Sequence, residues 1–310
     1  MAQATGQANT QTRAVLWAAL IFLFALLLFD LMGLIIKHLS SRYAAAELSA
    51  YRNLFGTLPS VLALAMSRAW TAQGRPRKIR QWRLAILRGL IPVLAQLLFY
   101  LSLGRMAFAT ATTIGYAMAL FMVGFAVPLL GERVGTVRWI AVLIGFAGVV
   151  LVIGPGRDTF SYDALLPLGA AALYALAGLT ARMIDNDVPS ALLNLYASVV
   201  AAIGSGLLAL ILTGFSPIQS AADFGWIVAM GGFGGSAVLC LVIAFRMTEQ
   251  SNLAPFSYFG IPLAFALGWL FFGEAPWRDL FPGALLIVAG GLLIVWRERR
   301  ISRAPETAMG

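Results

Sequence analysis

Ten apolar runs, each about as long as a hydrocarbon layer is thick, constrain this chain more than any motif in it. They are Val15–Ile36, Glu47–Met66, Leu84–Leu103, Ala109–Leu130, Val137–Ile153, Leu165–Met183, Ser190–Leu212, Gly225–Phe245, Leu253–Phe272 and Leu280–Trp296. A helix crosses a core about 30 Å thick with roughly 20 apolar residues, so each run is a candidate span. Composition agrees. Hydrophobic residues make up 60% of the 310 residues and charged residues 11%, whereas a water-soluble protein carries about a quarter charged residues. A soluble enzyme, a disulfide scaffold and a disordered chain are excluded. The expected class is an all-α integral membrane protein with ten transmembrane helices.

The first fourteen residues are polar and carry one charge, Arg13. The run that follows is longer than a signal-peptide core and continues into Lys37, so it is expected to be a retained first helix. Orientation follows from the basic residues. With the N-terminus inside, the inner segments hold 15 Lys and Arg and the outer segments 5, with Arg52 and Arg88 inside spans. That bias predicts cytoplasmic N- and C-termini. Seven of the eight tryptophans fall near expected span ends, as an interfacial belt requires. The net charge of +9 therefore reports topology, and nucleic acid is not an expected partner. One cysteine (Cys240) and one histidine (His38) leave no disulfide and no thiolate or imidazole metal cluster. No metal and no cofactor is expected.

The two halves repeat. At one offset of 142 residues, Tyr116 matches Tyr258, Gly131-Glu132 matches Gly273-Glu274, and Gly148 matches Gly290. Five helices per half is an odd number, so the copies enter the membrane from opposite sides. Inverted-topology repeats recur in secondary transporters, where two halves rock around a midplane site. The expected organisation is an N-terminal tail (1–14), a first five-helix repeat (15–153), an outer linker (154–164), a second five-helix repeat (165–296) and a basic tail (297–310). A central cavity between the repeats is the expectation for such an arrangement.

The same residues resemble the drug/metabolite transporter superfamily, specifically its ten-helix EamA-type members. The stretches FDLMGLIIKHL (29–39), AYRNLFG (50–56), FYLSLGRMAFATATTIGY (99–116), PLLGERV (128–134) and APFSYFGIPLAFALGWLFFGEAP (254–276) carry the resemblance. Many family members place Trp-Gly where this chain has Phe29-Asp30. The resemblance implies a multi-pass carrier in a bacterial inner membrane that moves small metabolites by alternating access. Its amino-acid-exporting YddG-type branch is the leading expectation, including aromatic and apolar amino acids. Branches that carry S-adenosylmethionine, riboflavin or drug-like cations are alternatives. The bilayer and the small-molecule substrate are the expected partners, and the chain is expected to function as a monomer. An intramembrane enzyme is disfavoured, since the spans contain no paired aspartates and His38 has no serine partner at depth. A channel or non-transporting subunit is disfavoured because no polar pore-lining helix is present.

Charges inside hydrocarbon cost roughly 2.5–3.5 kcal/mol on insertion scales and need a partner or a task. Asp30 and Arg52 sit at similar depths, about 8–9 Å below the outer surface at 1.5 Å per residue. They are expected to pair, either to fix helix packing or as a coupling or gating group. Arg88, near the cytoplasmic end of span three, is an interfacial anchor, a partner for Glu132, or a contact for an anionic substrate group. Gln96 and Tyr100 share one face of span three, and Tyr116 and Tyr174 lie near mid-depth of spans four and six. With Ser257 and Tyr258 they form the candidate substrate-binding set, because aromatic walls with a few polar tips suit a small amphipathic ligand. Pro128, Pro255 and Pro262 remove backbone donors within spans four and nine and are expected at bending points. Gly231 and Gly235 form a packing face in span eight, and Glu132 and Glu274 are expected to cap or pair at helix ends.

Overall fold

Without water, a backbone must satisfy its own hydrogen bonds, so apolar runs of this length become helices. The computed structural model describes residues 2–74, 81–131, 135–154, 161–183, 190–247, 253 and 256–302. Among them every regular element is helical: α1 (Ala2–Leu39), α2 (Ala45–Ala65), α3 (Arg68–Ala72), α4 (Trp82–Arg105), α5 (Phe108–Gly115), α6 (Met118–Leu130), α7 (Thr136–Ile153), α8 (Leu165–Arg182), α9 (Ser190–Leu212), α10 (Ala221–Met247), α11 (Gly260–Phe272), α12 (Trp277–Leu280) and α13 (Gly283–Ser302). Helix occupies each of the ten apolar runs. Six stretches are long and apolar enough to cross a membrane by themselves, and shorter apolar helices cover Trp139–Ile153, Gly260–Phe272 and Gly283–Ile294. The 21-residue α2 has the length but carries Glu47, Arg52 and Asn53.

Large apolar side chains face outward. Leu143 is 66% exposed, Ile211 79% and Trp269 63%. A surface of this kind is tolerated against lipid and not against water. Trp269, which sits in the middle of a run, is thus a lipid-facing ring.

The helix pairings follow the repeat. The first rod, α1, lies along α10, and the sixth rod, α8, lies along α4; α2 meets α10 as α9 meets α4. Two further pairs, α2 with α9 and α7 with α13, join equivalent rods of the two halves. Exchanging the halves therefore returns the principal pairings to themselves. Glycine sets the closest of these contacts: a Cβ on Gly148 would lie 2.6 Å from the Gly283 carbonyl, and one on Gly235 would lie 2.9 Å from that of Gly56. The Gly231/Gly235 face thus packs on α2.

Spans four and nine are each broken, and at the same place. Turns at Tyr116–Ala117 and Tyr258–Phe259 interrupt them, 142 residues apart. At the first break, Tyr116 N–H reaches the Thr113 carbonyl and Ala117 N–H the Ile114 carbonyl, which tightens the last turn of α5. At the second, Pro262 lies in the first turn of α11, where a missing N–H leaves no bond unmade. Pro128 lies within α6 without breaking it, and Pro255 lies outside the described residues. The turn that interrupts span four falls twelve residues before Pro128, beside Gly115. Both broken spans end on a left-handed glycine, Gly131 at φ 67° and Gly273 at φ 66°, a conformation that costs glycine little.

Candidate functional site

Helical spacing gathers one polar face from each of several rods. On α2, Arg52, Gly56 and Ser60 recur every four residues; on α4, Pro92, Gln96 and Tyr100 do the same; on α9, Asn194, Ser198 and Ala201 complete the pattern. Together with Asp30 of α1 and Tyr174 of α8 they surround a cavity of about 430 Å³. Phe29, Phe99, Phe108 and Tyr116 supply its aromatic area. Four pairs of wall positions stand 142 residues apart: Met32/Tyr174, Arg52/Asn194, Gly56/Ser198 and Gln96/Val238. The offset seen in spans four and nine thus runs through the cavity wall.

A hydrogen-bonded frame stiffens this wall. Gln96 Oε1 accepts from Ser49 Oγ at 3.0 Å and from Asn53 Nδ2 at 2.7 Å. Asn53 Nδ2 also donates to Ser205 Oγ at 3.1 Å, and its Oδ1 accepts from Arg52 Nη1 at 2.9 Å. On the other half, Asn194 Nδ2 donates to Ser60 Oγ at 3.1 Å, and Ser60 and Ser198 hydroxyls share a bond of 3.0 Å. Buried amides and hydroxyls satisfied in this way fix side-chain positions.

The expected Asp30–Arg52 ion pair does not form. The ion pairs among the described residues are Lys37–Glu274, Arg42–Asp223 and Arg105–Asp163. Arg52 turns instead to its sequence neighbour Asn53. Equal depth on two helices fixed neither side chain's direction around its helix axis, and that is why the pairing failed. Of the candidate binding residues, Gln96, Tyr100, Tyr116 and Tyr174 line the cavity, as do Asp30 and Arg52; Ser257, Tyr258, Arg88, Pro128 and Pro262 lie outside its wall. Tyr258 still abuts it, with its ring centroid 6.1 Å from that of Tyr116. Arg88 keeps Nη1 buried without a hydrogen-bond partner; Glu132 lies outside the described residues. Asn53, Ser60, Asn194 and Ser198 escaped the sequence reading, although Asn194 stands at the repeat offset from Arg52.

Every one of these ion pairs lies at the same end of the bundle, where α1, α4 and α9 finish. Lys37 Nζ bonds Glu274 Oε1 at 2.8 Å and donates to the Met106 carbonyl at 2.7 Å. Glu274 Oε2 accepts from Phe108 N–H at 2.9 Å, which caps α5 with a carboxylate from another rod. Nearby, Asp223 takes Arg42 Nη1 at 2.6 Å and the Tyr43 hydroxyl at 3.0 Å. Below this clasp a dense core containing Ile36, Leu103 and Phe108 closes the end. The exposed Asp163 carboxyl, bonded by Arg105, is held below the usual carboxylate range. The cavity wall extends toward the opposite end through Ser60 and Asn194.

Comparison with known proteins gives this arrangement a context. The model of the EamA-like transporter family matches residues 16–154 and again residues 162–296. An S-adenosylmethionine uptake transporter of Rickettsia conorii is 24% identical over 90% of this chain and 92% of that protein. A pseudopaline exporter, CntI, of Pseudomonas aeruginosa is 25% identical over 90% and 93%. A riboflavin transporter of Rhizobium johnstonii is 32% identical over 57% of this chain, and the match spans only 58% of that protein. One solved crystal structure, 21% identical, superposes with a TM-score of 0.63 over 92% of this chain and 98% of that one, which bears on the fold.

Proposed function

Because the chain belongs to the EamA-like transporter family, we propose that this membrane transporter is a secondary carrier exporting amino acids and related small metabolites by alternating access. The observation that carries the reading is the cavity wall: aromatic faces for an apolar portion, with Gln96, Asn53 and the two charges Asp30 and Arg52 for polar ends. Residues 15–153 and 165–296 act as the two rocking repeats, working as one monomer in a bacterial inner membrane with both termini in the cytoplasm. In that orientation the Lys37–Glu274 clasp closes the outer face. The wall reaches inward past Ser60, so the cavity loads from the cytoplasm in this state. The broken helices at Tyr116 and Tyr258 serve as bending points, and Pro262 helps to set the second of them.

A second reading is favoured by a relative matched over nine-tenths of the chain: a carrier for S-adenosylmethionine, with Asp30 facing its sulfonium charge. Uptake into proteoliposomes of radiolabelled amino acids, S-adenosylmethionine, riboflavin and a lipophilic cation separates the two. Movement of amino acids supports the first reading; movement of another class alone replaces it. Tyr116→Ala and Tyr174→Ala are expected to raise the half-saturating concentration, and no change in either would remove the cavity from the transport path.

A further inference from the structure

An acidic and a basic side chain share the cavity wall without forming an ion pair. Asp30 is 7% exposed, and its Oδ2 has no hydrogen-bond partner among the described residues; nor does Arg52 Nε. Both residues line the cavity. Arg52 is held by its surroundings on two sides. Its Nη1 is tied to Asn53 Oδ1, and Asn53 is itself held by Gln96 and Ser205. Behind the guanidinium lies Gly234, where even a Cβ would come within 2.8 Å of Nε. A buried acid and base left without partners are costly, and a ligand that pairs with both relieves that cost.

Resting on the reading of this chain as a carrier of amino-acid-like metabolites, we propose that Asp30 and Arg52 are the two poles of a zwitterion subsite. The Asp30 carboxyl group, at the cavity wall, accepts from the ligand's ammonium group, and the Arg52 guanidinium donates to its carboxylate. The ligand's apolar portion lies against Phe29, Phe99 and Tyr116. The poles sum to zero charge, so an overall neutral zwitterion leaves neither bare. A ligand with only one charged end leaves the opposite pole unpaired, and the site rejects it for that reason. The class that fits is α-amino acids with apolar or aromatic side chains, together with larger metabolites that present the same two ends.

Titration calorimetry on the full chain in nanodiscs, with L-phenylalanine, L-phenylalaninamide and N-acetyl-L-phenylalanine as probes, tests the assignment. The unsubstituted protein is expected to bind phenylalanine at least about tenfold more tightly than either derivative. Asp30→Asn weakens phenylalanine by a similar factor and tightens the acetylated acid, which lacks the ammonium, a few-fold. Arg52→Gln weakens phenylalanine and tightens the amide in the same way. Asp30→Glu restores the preference in part. Equal affinity of the unsubstituted protein for all three probes overturns the inference alone, without any variant needing to fold. Equal losses across the probes in the variants do the same. No binding of any probe overturns the inference together with the reading beneath it.

Discussion

The two halves are alike as scaffold and unlike as wall. Each contributes five helical rods, each breaks its fourth rod at a tyrosine, and each ends that rod on a left-handed glycine. Within the cavity the equivalence stops at position. Where the first half places Arg52 and Gln96, the second places Asn194 and Val238. Asp30 has Ala172 at the same offset, and Ala172 does not reach the wall. Symmetry thus belongs to the scaffold, whereas the charged side chains of the described wall, Asp30 and Arg52, both come from one half. A rocking mechanism needs two similar bodies, but a ligand with two different ends needs two different groups to meet it.

Substitutions that set one half against the other sharpen this contrast. Arg52→Gln is expected to lower transport by about 30-fold or more, because a charge-assisted bond is worth roughly 1.5–3 kcal/mol. Its counterpart Asn194→Ala, which loses a neutral bond to Ser60, is expected to cost about threefold. Matching losses in initial proteoliposome rates would show that the halves share recognition equally.

Gln96→Val copies the second half's residue into the first. It strips Ser49 and Asn53 of their buried acceptor, for a stability loss of about 2 kcal/mol and roughly tenfold slower transport. Fluorescence-detected thermal unfolding and flux would both register it.

At the Lys37 end, Glu274→Gln removes one ion pair and weakens the cap on α5. A fall in stability of about 1 kcal/mol is expected. If that end then opens more often, labelling of a cysteine introduced at Ser102 by a polar thiol reagent rises a few-fold. Unchanged labelling would mean that the apolar core beneath, not the clasp, keeps that end shut.

The smallest effect belongs to Arg105–Asp163, whose side chains are 55% and 32% exposed. Because Arg105 depresses the Asp163 pKa, its contribution is present at neutral pH and fades as pH falls through the folded-state value. Asp163→Asn is expected to leave the melting temperature at pH 7 within the scatter of the measurement.

Much of the architecture is legible in hydropathy, because a run of about 20 apolar residues has few other places to go. The broken fourth and ninth rods are less legible. A turn of two residues at Tyr116 or Tyr258 does not interrupt apolarity, so the runs read as continuous. The Asp30–Arg52 pair shows a different limit. Sequence position gives depth along a helix, but the competing acceptor on Asn53 becomes visible only once azimuth and rotamer are known. Tyr116 and Gln96 were found because phenol and amide groups stand out as polar tips in such runs, whereas Ser60 and Ser198 pass as ordinary small residues. Their role shows only when α2 and α9 are laid side by side.

The glycine-built contact between α7 and α13 has a consequence for how such a duplicated chain can change. There the backbones meet directly at Gly148 and Gly283, and again where Gly290 meets Ala141 and Gly145. A bulky residue on either helix displaces both copies at once, so the descendants of one ancestral segment remain bound to each other's past. The cavity wall is joined across the halves largely by side-chain bonds such as Ser60–Ser198 and Asn53–Ser205, which a single substitution can remake. Divergence is therefore free to accumulate on the lining while the seam holds still, and a new cargo can be acquired by editing one copy alone.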